Sequence, residues 1–150
     1  MEISMTYQFK NPSDDVIADY LRKTHKIAVV GLSSKPEAAS YSVAKFMQAM
    51  GYEIVPVNPG MVGQEILGEK VYATLADIPF PVDMVDVFRP SEALPQVAKE
   101  FIHTDAKIFW AQLGLENEDA EAILRGANRH NVVMNKCLKI EYRSLMHQLD

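Results

Sequence analysis

The chain has 150 residues, 48% of them apolar, enough for one domain over residues 1–150 with a real core. Its net charge of −5 and pI near 5.4, with no Lys/Arg cluster, leave nothing to offset phosphate repulsion, so no nucleic-acid partner is expected. The opening "MEISMTYQFK" lacks the basic flank and apolar run of a signal peptide, and no stretch approaches the ~20 apolar residues of a membrane span, so the expectation is a cytoplasmic protein with no membrane partner.

Ser13, followed by Asp14 and Asp15 and then by Ile17, Tyr20 and Leu21 at helical spacing, predicts a short capped helix. Lys26 to Gly31 is a continuous apolar run, which suits a strand covered on both faces, the habit of parallel sheets. Tyr52–Asn58, Met84–Phe88, Lys107–Gln112 and Asn131–Met134 read the same way. Val43, Phe46, Met47 and Met50 form a helical stripe that Gly51 is placed to end in a left-handed cap. Leu94, Val97, Ala98, Phe101 and Ile102 form a second stripe after Ser91, with Pro95 required to fall in the first turn. A third helix starts after Asn117, with Glu118 and Asp119 first and Arg125 and Arg129 last, as the helix dipole prefers. Leu138, Tyr142, Leu145 and Leu149 suggest a last helix packed back on the sheet. The alternation predicts an α/β fold: a three-layer, Rossmann-like, doubly wound and mostly parallel five-stranded sheet, helices on both faces, strand 1 central.

In such sheets ligands bind beyond the carboxyl ends of the strands, where the strand order reverses. The loop Gly31 to Ala39 lies there and leads into a helix with Ser40 as cap candidate and Tyr41 and Ser42 in its first turn. Free amides and the positive helix end favour a phosphate or diphosphate, with Ser33, Ser34 and Ser40 as hydroxyl donors and Lys35 as a charge. The alternative is a plain polar turn, because neither G-x-G-x-x-G nor G-x-x-x-x-G-K-[ST] is present. After strand 2, Asn58 and Pro59 stand where an NAD site wants an acid for the ribose 2′-hydroxyl. Its absence admits a nucleotide with an extra ribose phosphate, coenzyme A or NADP. No arginine occurs between Asn58 and Lys70, which shifts the weight from NADP to coenzyme A.

Five ordered blocks, "VVGLSSKP…SYSVAKFMQAMGYEIVPVNP", "EILGEKVYATLADIP", "VDMVDVFRPSEA", "FWAQLGLENEDA" and "CLKIEY", resemble the small stand-alone CoA-binding proteins. These are similar to the CoA-binding domain of the succinyl-CoA synthetase α subunit. The resemblance runs from Asn11 to about Leu145 and implies a Rossmann-like domain with coenzyme A as cofactor. Carried over, Gly31, Leu32, Ser33, Ser34, Ser40 and Tyr41 would meet the diphosphate. Val57, Asn58 and Pro59 would wall the adenosine, and Phe88 and Arg89 would lie along the nucleotide and upper pantetheine. Trp110, Gln112 and Gly114 would border the pantetheine arm. The family often carries an arginine just before the Ser-Tyr pair, where this chain has "EAAS", so phosphate contact would rest on Lys35 and the backbone. It also tends to have Asp-Arg before the cysteine, where Asn135 and Lys136 stand.

Several residues admit two readings. Arg89 suits phosphate, or pairs with Glu92 or Asp86. Asp86, inside an apolar strand, is expected to accept donors rather than act as a catalytic acid. Trp110 is core or ligand contact. Cys137, the lone cysteine, cannot close an internal disulfide; it is a buried inert thiol, or a partner for the thiol of coenzyme A if exposed. His25, His103, His130 and His147 are scattered, and no metal site or catalytic set emerges. The expectation is a module that binds coenzyme A or an acyl-CoA as carrier, sensor or assembly component, with a protein partner or homodimer as further options. The alternatives are a small NADP-dependent oxidoreductase and a structural subunit that has lost its ligand.

Overall fold

A computed structural model describes residues 7–146. Helix α1 spans Asp14–Lys23, with Ser13 Oγ accepting from the Val16 N–H and Ile17, Ala18 and Leu21 buried. Strand β1 is Lys26–Val30, helix α2 Ala39–Ala49, and strand β2 Glu53–Val57. A two-stranded hairpin follows, β3 Glu65–Ile66 and β4 Glu69–Lys70. Then come β5 Met84–Val87, α3 Leu94–Phe101, β6 Ile108–Ala111, α4 Glu118–Gly126, β7 Val132–Val133 and α5 Leu138–Leu145. Three short 3-10 turns, at Pro59–Met61, Leu75–Asp77 and Ser91–Ala93, fill loops. Leu149 and His147 lie outside the described residues.

The helix ends follow their residues. Gly51, at φ +104°, closes α2: its N–H donates to the Gln48 carbonyl (3.0 Å) and that of Tyr52 to the Met47 carbonyl (3.2 Å). This is the paired left-handed ending that glycine permits. Pro95 occupies the second position of α3, where no intrahelical donor is lost. Asn117 caps α4 through Oδ1 and the Ala120 N–H (2.9 Å). Arg129, expected in the last turn of α4, lies beyond it because the helix stops at Gly126. Its guanidinium instead donates to the carbonyls of Ile102, Thr104 and Ala106, holding the turn between α3 and β6.

Five parallel strands form one sheet in the order β2-β1-β5-β6-β7. Strand β1 is therefore one place in from the edge, and β5 holds the middle, a correction to the expected central β1. The reason lies after β2. Where a further full strand would stand outside β2, only Tyr72 makes a single parallel bridge with Val57. On the opposite edge, the Asn11 side chain exchanges two bonds with the Met134 backbone, Nδ2 to the carbonyl (2.8 Å) and Oδ1 from the N–H (2.9 Å).

Successive side chains alternate between two core layers, as the pleat requires. Ile27 and Val29 face α1, α2 and α5, with Trp110, Leu32 and Met47. Ala28 and Val30 face α3 and α4, with Leu94, Phe101 and Leu124. Each large aliphatic or aromatic side chain so buried contributes about 1.5–3 kcal/mol. The register aligns Val30 with both Val57 and Val87, so β1, β2 and β5 end level and their loops leave from one edge.

Candidate functional site

Three loops meet at that edge. Gly31 turns the chain off β1 at φ +87°, and a Cβ there would lie 2.6 Å from the Phe88 carbonyl oxygen. Only glycine fits such an approach. Two bonds fasten the crossing, Gly31 N–H to the Val57 carbonyl and Phe88 N–H to the Val30 carbonyl, both 2.8 Å. Leu32 then plunges into the core, fully buried, and its carbonyl accepts from Asn58 Nδ2 (2.9 Å). Asn58 Oδ1 accepts from the Gly60 N–H (2.9 Å), so both ends of this amide brace the loops.

The loop finishes by satisfying itself. The Ser33 N–H donates to Ser40 Oγ (3.0 Å), the Lys35 N–H to Ser33 Oγ (3.1 Å), and the Ala38 N–H to the Lys35 carbonyl (3.0 Å). Ser40 is thus not the cap expected from its position: it sits buried in the first turn, its oxygen committed to the loop. The cap position belongs to Ala38, which has no side chain to offer. The first helical amides, those of Ala39, Ser40 and Tyr41, consequently find no acceptor among the described residues. Ser13 and Asn117 cap α1 and α4 with their side chains, whereas α2, like α3 and α5, has no side-chain cap, and its first turn lies against the Gly31 loop through Ser40.

Two cations belong to or cross this loop. Lys35 is exposed, and so is Arg89, whose Cδ lies 3.3 Å from where a Cβ on Gly31 would sit, so its stem crosses the loop. Among the described residues neither forms an ion pair, and the alternative pairing of Arg89 with Glu92 or Asp86 is not made. Ser34 and Pro59 are exposed at the rim, Phe88 and Tyr41 half-buried, and Val57 buried.

Other expected residues turn inward. Trp110 is fully buried, and its Nε1–H donates to the Lys136 carbonyl (2.8 Å), so its indole is core and does not border a ligand. Gln112 is buried, with Oε1 accepting from the Leu138 N–H (3.1 Å) at the start of α5. Gly114, at φ +86°, is exposed and donates its N–H to Asn135 Oδ1 (2.7 Å). Asn135 takes the left-handed conformation, φ 61°, which asparagine tolerates. The "NK" departure from the family pattern is therefore a clasp between the β6 and β7 loops. Cys137 is half-buried at the head of α5.

Asp86 departs most from expectation. It is 1% exposed, on the face shared with Val29 and Trp110, and its Oδ1 has no hydrogen-bond partner among the described residues. Burial pushes its carboxyl well above the ordinary carboxylate range. No sequence signal distinguishes an orphaned acid from a satisfied one.

A parallel sheet of this order, with helices on both faces, defines a Rossmann-like domain. The model of the CoA-binding domain family matches residues 25–143, and the chain belongs to that family. It is 48% identical over 133 residues to the uncharacterized protein YneT of Bacillus subtilis, covering 89% of this chain and 96% of that one. The Thermus thermophilus structure of cell-free ID.343 superposes with a TM-score of 0.85 at 34% identity, covering 89% of this chain and 99% of that one. The α subunit of the Pyrococcus furiosus ADP-forming acetate–CoA ligase I is 34% identical over 105 residues, 63% of this chain but 23% of the subunit. The domain is thus homologous to the succinyl-CoA synthetase type of CoA-binding domain, as the sequence blocks implied.

Proposed function

We propose that the chain binds coenzyme A or an acyl-CoA in the crevice at the carboxyl ends of β1, β2 and β5, as a carrier, a sensor or one component of an assembly. The observation that carries this reading is the uncapped start of α2, held against Gly31 within a chain of the CoA-binding family. The diphosphate takes the free amides of Ala39, Ser40 and Tyr41, with Gly31, Leu32, Ser33 and Ser34 lining the approach. The Ser33 amide already serves Ser40, so that residue contributes shape and its hydroxyl rather than an N–H. Lys35 and Arg89 supply the charge. The adenosine lies along Val57, Asn58 and Pro59, and Phe88 lies beside the upper pantetheine.

Calorimetric titration with coenzyme A, dephospho-coenzyme A, NAD and NADP at matched salt tests the reading. Selective binding of coenzyme A is expected. Heat from none of the four at millimolar ligand, or a preference for either nicotinamide nucleotide, sinks it. Nothing in the fold or the relatives favours the NADP oxidoreductase.

A further inference from the structure

One peptide plane in the Gly31 loop is held from both sides. The Leu32 carbonyl accepts from Asn58 Nδ2 (2.9 Å), and the Ser33 N–H, the other half of the same planar unit, donates to Ser40 Oγ (3.0 Å). Among the described residues that carbonyl has no other donor and that N–H no other acceptor. A peptide unit in a loop is free to turn about its flanking φ and ψ, but this one turns only by breaking both bonds.

Each clamp is itself fixed from elsewhere in the fold. Asn58 Oδ1 accepts from the Gly60 N–H (2.9 Å), which settles which end of the amide faces Leu32, and the Asn58 N–H donates to the Tyr72 carbonyl (2.9 Å). Ser40 is buried in the first turn of α2. On one flank of the plane, Leu32 is anchored in the core. On the other, Ser34 is exposed, and its N–H has no acceptor among the described residues. The plane between them therefore sets how the chain leaves the core at Leu32 and presents Ser34.

We propose that Asn58 and Ser40 are positioning residues for the diphosphate: by clamping the Leu32–Ser33 peptide they hold the Ser34 N–H so that it joins the amides at the start of α2 in meeting the ligand. The proposal rests on the reading of the crevice as a diphosphate site given above. It assigns both side chains to the loop, not to the ligand, because their polar atoms are already engaged there. Two side chains that touch separate parts of a ligand lose affinity independently, and their effects multiply. Two that act through one peptide plane are coupled.

Calorimetry on the full chain, with coenzyme A and with inorganic diphosphate, compares the parent, Asn58→Ser, Ser40→Ala and the double variant, all well below their thermal midpoints. A serine at 58 still accepts from the Gly60 N–H but is too short to reach the Leu32 carbonyl, and an alanine at 40 keeps the helix and its backbone amide. Each single variant is expected to weaken both ligands about tenfold, the scale of one lost hydrogen bond. The double variant is expected to lose no more than about threefold beyond the weaker single. Amide exchange on the unliganded chain adds a reading free of ligand: in Asn58→Ser the Ser33 N–H, whose own acceptor is untouched, exchanges faster than in the parent. The inference is overturned if either single variant binds as the parent does, if the losses multiply to about a hundredfold, or if Ser33 exchange is unchanged in Asn58→Ser. It is also overturned if Asn58→Ser weakens coenzyme A alone, the mark of a direct contact with the adenosine. A parent that takes diphosphate but not coenzyme A sinks the coenzyme A reading and leaves the clamp measured on diphosphate. A parent that takes neither sinks both.

Discussion

Gly31 and Asp86 mark the two ends of what a single side chain can decide here. At Gly31 the positive φ and the Phe88 carbonyl 2.6 Å from the missing Cβ act together, so Gly31→Ala must move backbone. A loss of roughly 2 kcal/mol or more is expected from strain of this kind, read as a lowered urea midpoint, along with loss of coenzyme A binding. At Asp86 the penalty is electrostatic. Its folded-state pKa is raised, so its contribution to stability is complete below the ordinary carboxylate pKa, near 3.9, and drains away as pH climbs from there through the folded value. Asp86→Asn has no such titration. Relative to the variant, the parent should lose about 1.4 kcal/mol per pH unit across that interval. Urea midpoints of both proteins between pH 4 and 7 check it, and parallel curves would show that Asp86 is ionised and satisfied.

Among the elements, α2 starts beside the Gly31 loop without a side-chain cap, and the proposed ligand site depends on that start. Its sequence places Ala38 where a Ser, Asp or Asn would cap the helix. Restoring the cap with Ala38→Asp should therefore split two properties that normally move together. Stability should rise by about 1 kcal/mol, since Ala38 already has the extended backbone that a cap requires (φ −74°, ψ 142°). Affinity for coenzyme A should fall about tenfold or more, because a carboxylate would then occupy the amides and repel the diphosphate. Denaturation and calorimetry on the same preparation read both, and a variant that gained stability without losing affinity would move the diphosphate elsewhere. The α2 case also shows where the sequence was legible. The strands were plain in it, because continuous apolar runs such as Ile27–Val30 suit only two-sided burial. Ser40 misled because a hydroxyl at a helix start has two uses, and here the loop takes it. The β3–β4 hairpin went unread because its turn puts Leu67 at φ 56°, a conformation leucine rarely signals. Packing against the core and the Gln48 Nε2–H bond to the Leu67 carbonyl (3.1 Å) hold it there. The orphaned oxygen of Asp86 and the reach of Arg129 depend on tertiary neighbours that no local pattern encodes.

For the whole molecule, ligand and fold are linked by mass action. Coenzyme A at one hundred times its dissociation constant would add about 2.7 kcal/mol to the folded state. For a domain of this length that corresponds to a rise in thermal midpoint of roughly 5 to 10 °C. A melting series against ligand concentration checks it, and a flat series would leave the family fold without its ligand.

The two borders of the sheet carry a consequence for how copies of this chain can meet. An open border strand presents unpaired amides and carbonyls on which a second strand can build, the usual start of unwanted association. Here Tyr72 sits against Val57 on one side, and the Asn11 amide imitates a neighbouring strand at Met134 on the other. A homodimer made by continuing the sheet would meet one of these two covers at the strand end. Removing the Asn11 amide would uncover the Met134 backbone, so Asn11→Ala is expected to raise self-association, read by light scattering.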